Sequence, residues 1–232
     1  MIKKLQKLKA KKGFTLVELI VVIAIIGVLA AILIPTMLGF VTSSRVTSAN
    51  STAASIKTQI GNFLTDADTA GYGMKAGSSQ QAVVTASVSG GSWTVTVKNG
   101  NSLTAESSLP FKTGGNYKWS TSADKVTKDT KKSEAGKDAT KLLAVNLASV
   151  FPDVQNAAIV AFLEGGSCMY VIYTADVNSV ADIGKVPTYD DFKANAYNWN
   201  GNTAGITSEG ITVGTAPALA LGTATAEAPT EG

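Results

Sequence analysis

Glu18 is the single charged side chain between Gly13 and Arg45. Few other residues in this sequence could do chemistry. There is no His, so neither a Ser-His-Asp nor a Cys-His site can be built. Cys168, the one cysteine, stands in an apolar, strand-like stretch where a buried thiol serves packing more often than catalysis. It cannot form an internal disulfide. Asp190 and Asp191 are adjacent, unlike the opposed carboxylates of a glycosidase. No zinc cluster, phosphate loop or Gly-x-Ser-x-Gly elbow occurs. The sequence therefore points to no catalytic residue, no cofactor, no metal and no enzyme.

Glu18 lies in an apolar region running from Phe14 to Val41. Leu19 to Ile34 holds no polar side chain. As a helix the region would be about 42 Å long, more than the ~30 Å hydrocarbon core requires. A charge at the centre of such a helix costs roughly 2.5–3.5 kcal/mol, and less near the interface. An ionisable residue there calls for a named partner. With no Lys or Arg nearby, the available cation is a new α-amine, made by cutting the chain after Gly13.

Six lysines, Lys3, Lys4, Lys7, Lys9, Lys11 and Lys12, precede this region, with no acid among them. They place residues 1–12 on the cytoplasmic side and the remainder outside. Subtracting these six from the 20 basic residues leaves 14 against 17 acids, so the chain beyond the leader is mildly acidic. That balance gives no electrostatic case for nucleic acid. The apolar core is longer than that of an ordinary cleaved signal peptide, and Ala30-Ala31 lies inside it rather than after it.

The stretch KKGFTLVEL closely resembles the class III signal of type IV prepilins and pseudopilins. The resemblance covers residues 3–41. It implies that a membrane peptidase cuts between Gly13 and Phe14 and that Phe14 becomes the N-methylated terminus. It makes Glu18 the fifth mature residue, which pairs with a neighbouring subunit's terminus during assembly. Pro35 falls where the family kinks its helix. Gly27 and Ala31 are a small-xxx-small pair suited to close helix approach, or simply small residues tolerated in lipid.

Beyond Pro35, Val46, Ala49, Ala53, Ile56, Ile60, Phe63 and Ala67 recur at alternating spacings of three and four. That predicts one apolar stripe of an amphipathic helix packed on a sheet, ended by Thr69 to Gly73. Ala82–Val88 and Trp93–Lys98 alternate around SGGS, predicting a hairpin. Ala157–Glu164 and Cys168–Thr174 flank GGS and predict a second. Lys137–Phe151 predicts a short helix with Leu143, Leu147 and Val150 on one face, stopped by Pro152. Thr188–Asp191 resembles a capping box, and Gly210–Pro217 suggests a last strand. Ser122–Asp138 mixes lysines and acids as a solvated loop would, and matches no calcium loop. Residues 150–218 also resemble heads of pilins from Gram-positive clostridia.

The expected fold is α+β: a long protruding amino-terminal helix, apolar then amphipathic, packed on an antiparallel-sheet head. The expected organisation is a cleaved leader at 1–13, an apolar membrane or filament-core segment at 14–41, an amphipathic helix at 42–68, a β-rich head at 69–221 and a flexible tail at 222–232. The resemblance implies a subunit of a type IV pilus, held in the cell membrane and then assembled into an extracellular homo-oligomeric filament. Its implied partners are the prepilin peptidase, the assembly platform and its ATPase motor. A pseudopilin of a secretion or competence machine and a monomeric membrane-anchored adhesin are the alternatives.

Overall fold

The computed structural model describes residues 14–100, 108–122, 125–178, 198–199, 202–203 and 212–218. Helix α1 runs from Leu16 to Thr69, 54 residues. The chain divides after Ser44 into two compact units, each described by itself.

In the first unit α1 is uninterrupted through Gly27, Pro35 and Gly39. Proline there removes an N–H from the helical ladder. At the next residue, the Thr36 hydroxyl donates to the Leu33 carbonyl at 2.9 Å and the Ile32 carbonyl at 3.4 Å. Leu16–Ile34 is long and apolar enough to cross a membrane, and none of it is buried.

In the second unit the 3–4 stripe becomes the buried face of α1. Val46, Ala49, Ala53, Ile56, Ile60, Phe63 and Ala67 are all buried, as the spacing predicts, and Leu64 joins them. Burying Ile56, Ile60 and Leu64 is worth roughly 1.5–3 kcal/mol each relative to exposure. The outward face carries Ser51, Ser55, Thr58 and Thr65. The Ser55, Thr58 and Thr65 hydroxyls donate to the carbonyl four residues back at about 3.0 Å. The helix stops at a Schellman motif: Tyr72 N–H bonds the Ala67 carbonyl and Gly71 N–H the Asp68 carbonyl. Gly71, at φ +84°, supplies the left-handed residue that this stop requires.

Five antiparallel strands follow the order β2-β1-β3-β4-β7. They are β1 (Gln81–Ser89), β2 (Ser92–Asn99), β3 (Ala157–Glu164), β4 (Ser167–Thr174) and β7 (Gly214–Ala216). Asn198–Trp199 (β5) and Asn202–Thr203 (β6) form a separate antiparallel pair. Both expected hairpins form around two glycines of positive φ, Gly90-Gly91 and Gly165-Gly166, the conformation that two-residue hairpin loops demand. The central pairing, β1 with β3, sets Val84 opposite Ala161 and Ala86 opposite Ile159. Val83, Val160, Phe162 and Ile172 are buried on the other face, so β3 is covered on both sides. That is why AAIVAFLE reads as a continuous apolar run rather than an alternation.

Helix α2 (Ala139–Val150) starts at Asp138, whose carboxylate accepts the N–H groups of Thr140 and Lys141. Leu143 and Leu147 are buried, but Val150 is 47% exposed. The three share one helical face, as their spacing predicts, with Val150 in the last turn. The segment expected to be a solvated loop also does more than that. Val126 is buried and exchanges both backbone hydrogen bonds with Trp93, and Thr121, just before the segment, accepts the N–H of Val97. The segment thereby covers the outer edge of β2, which would otherwise invite another strand. The expected capping box at Thr188–Asp191 and the tail from Gly222 lie outside the described residues.

Candidate functional site

Thr15 and Glu18 together begin α1. Thr15 is the last residue before the helix, and its carbonyl accepts the N–H of Leu19 at 3.2 Å. Its Oγ1 accepts the N–H of Glu18 at 3.2 Å. The Glu18 Oε2 in turn accepts the backbone N–H of Thr15 and its hydroxyl, both at 2.8 Å. This is a reciprocal capping box, Thr-x-x-Glu, which satisfies donors that a helix start leaves free. The carboxylate therefore has partners in its own chain, besides any cation brought to it. The signal was present as a Thr three residues before a Glu at the head of an apolar run.

Phe14 precedes the cap in non-helical backbone and is exposed. Gly13 lies outside the described residues. Pro35 lies in the uninterrupted helix, far along the chain from Glu18. The structure thus brings Phe14, Thr15 and Glu18 together at one helix start, with some five uncovered apolar turns behind them.

Elsewhere the described residues offer little reactive chemistry. Among them no group of three or more His, Cys, Asp or Glu could hold a metal. Cys168 is buried, and loss of solvent pushes its thiol up to about 12, with Lys57 opposing the shift. Such a thiol carries almost no thiolate at neutral pH and suits the core rather than catalysis. Open hollows lie among the described residues of the second unit. One of about 340 Å³ is lined by Arg45, Ser48, Tyr173, Asp176 and Thr212. Another, about 550 Å³, lies between Lys57, Gly61 and Asn62 of α1 and Ser167 and Pro217. Neither gathers a nucleophile, a base and an orienting group.

A family described as the prokaryotic N-terminal methylation motif matches residues 8–34. Over 51 residues the chain is 51% identical to a fimbrial protein of Pseudomonas aeruginosa, covering 22% of this chain and 33% of that protein. The chain carries a prepilin motif, and its amino-terminal region is homologous to type IV fimbrial proteins. Fimbrial protein Q of Moraxella bovis is 37% identical over 76 residues, 33% of this chain and 48% of the relative. The type IV major fimbrial protein FimA of Dichelobacter nodosus is 43% identical over 61 residues, 26% and 39% of the two chains. The chain thus spans about a third to a half of the length of the curated relatives it matches. No solved structure matches it significantly. The methylation motif reaches from the lysine-rich residues before Gly13 across Gly13, Phe14, Thr15 and Glu18 and ends at Ile34, the last residue of the exposed apolar stretch.

Proposed function

We propose that this chain is a structural subunit of a type IV pilus. The prepilin peptidase removes residues 1–13, Phe14 becomes the N-methylated terminus, and Glu18 pairs with the Phe14 amine of a neighbouring subunit. The observation that carries this reading is the methylation motif ending on a helix stretch, Leu16–Ile34, that is long and apolar enough to cross a membrane and has none of its residues buried among the described residues. Such a surface is stable only in lipid or against other copies of itself.

Cleavage does two physical things. It deletes the six lysines that would tie the chain to the cytoplasmic face. It also creates an amine with an ordinary pKa of about 7.7–8.0, which methylation leaves charged at neutral pH. The twelve Leu, Ile and Val residues between Leu19 and Ile34 favour the bilayer by roughly 4–7 kcal/mol. Extraction must be offset by packing of helix on helix, and an assembly platform with an ATPase motor would drive it. The subunit waits in the cell membrane with its head outside and ends in an extracellular filament. In that apolar core, losing one partner of a buried ion pair costs about 3–5 kcal/mol.

The test is Glu18→Gln. It keeps a hydrogen-bonding amide and removes the charge. Filament sheared from the surface should fall severely while membrane abundance holds. Filament at the wild-type level from Glu18→Gln would refute the pairing.

A further inference from the structure

The capping box assigns a role to a residue that the pairing of Glu18 alone leaves idle. Both hydrogen bonds from Thr15 end on Oε2 of Glu18, and among the described residues no hydrogen bond reaches Oε1. We propose that Thr15 is a positioning residue for the Glu18 carboxylate, holding Oε2 within the chain so that Oε1 faces the amine of a second copy. The proposal rests on the pairing reading of Glu18 given above.

A glutamate has three rotatable bonds, and a free one samples many directions. Here its carboxylate is held at one oxygen by a backbone N–H and a hydroxyl, each 2.8 Å away. An ionised carboxylate offers about four lone-pair sites, so these two bonds leave acceptor capacity on the other oxygen. The restraint closes in both directions, because the Thr15 hydroxyl oxygen also accepts the Glu18 N–H. Turning the carboxylate away would leave the Thr15 N–H and hydroxyl without acceptors, which is costly where water is scarce. The helix start is thus fixed at the residue after Thr15, and Glu18 sits on the first turn. Phe14 stays outside that turn, where its own amine, once freed, can reach another subunit.

A Gln at the third helical position also closes a capping box. Glu18→Gln therefore keeps the cap and loses the charge, whereas Thr15→Val keeps the charge and loses the hydroxyl. Thr15→Ser keeps both. This set separates positioning from pairing.

The experiment measures surface-sheared filament, membrane abundance and the mass of the mature amino terminus for Thr15→Val, Thr15→Ser and Glu18→Gln. Thr15→Val should be cut after Gly13 and reach the membrane as the unaltered chain does. Its filament yield should fall about tenfold, the factor expected when one hydrogen bond to a charged group is lost. Thr15→Ser should restore the yield. Should Thr15→Val fail to accumulate, Thr15→Ala decides the question by the same readouts. Wild-type yield from Thr15→Val, or an equal fall in Thr15→Val and Thr15→Ser, overturns the positioning role. Wild-type yield from Glu18→Gln instead overturns the pairing on which it rests.

Discussion

Asn50 accepts the backbone N–H of Thr215 on its Oδ1 at 2.7 Å, joining α1 to the last strand across 165 residues of chain. The next residue back, Gly214, lies so close to the helix that a Cβ there would stand 2.6 Å from the Asn50 nitrogen and overlap the Ala49 carbonyl. Gly214→Ala should therefore cost about 1–3 kcal/mol by overpacking. Asn50→Ala should cost about 1–3 kcal/mol by removing the acceptor of a buried donor. Thermal unfolding of the detergent-solubilised protein checks both. An unchanged midpoint for Gly214→Ala would mean that β7 does not sit against α1 as described.

Gly71→Ala should lower stability by about 1–2 kcal/mol. The helix stop needs φ +84° at this position, and an added Cβ resists the left-handed region. Nothing nearer than 3.8 Å would meet that Cβ, so the cost is conformational rather than steric. Gly71→Asn should recover part of the loss, because Asn tolerates this conformation better. The comparison of unfolding midpoints for Ala and Asn reads this directly.

Cys168 predicts a pH dependence. Burial raises its thiol to about 12, well above the ordinary value. Between the ordinary value and about 12 the unfolded chain binds fewer protons than the folded one, so stability falls as pH rises through that window. Below it the contribution is fully present. Unfolding midpoints should drop from pH 8.5 to pH 11, and Cys168→Ala should flatten part of the slope. Tyr72 and Tyr173, also raised by burial first and then by nearby negative charge, keep the remainder. A thiol reagent at pH 8 should label Cys168 only after denaturation; rapid labelling of the folded chain would contradict its place in the core.

Much of this architecture was legible in the sequence, for local reasons. The stripe from Val46 to Ala67 repeats over six turns, so a helix of one buried face was the simplest solution. Each hairpin was marked by paired glycines between apolar runs. The rest depended on partners far apart in the chain. Phe63 meets Trp119 edge-on at 5.9 Å, Trp119 stacks on Phe111 at 4.0 Å, and its indole N–H donates to the Tyr72 carbonyl. Nothing in the spacing of these residues announces that they meet. Val150 is exposed although it shares a face with Leu143 and Leu147, because helical periodicity gives a face but not how far along it burial extends. Thr15 was missed for the opposite reason. Its signal was local, but the expense of a carboxylate in an apolar stretch drew attention to distant cations.

The proposed assembly begins with one covalent event, and the mature amino terminus tests it most directly. Surface-sheared protein should be isolated and its terminal peptide sequenced by mass spectrometry. The expected peptide begins at Phe14, carries one added methyl group on its amine, and retains Glu18 and the whole run from Leu19 to Ile34. A chain still beginning at Met1, or one cut beyond the apolar run near Thr36, would contradict it.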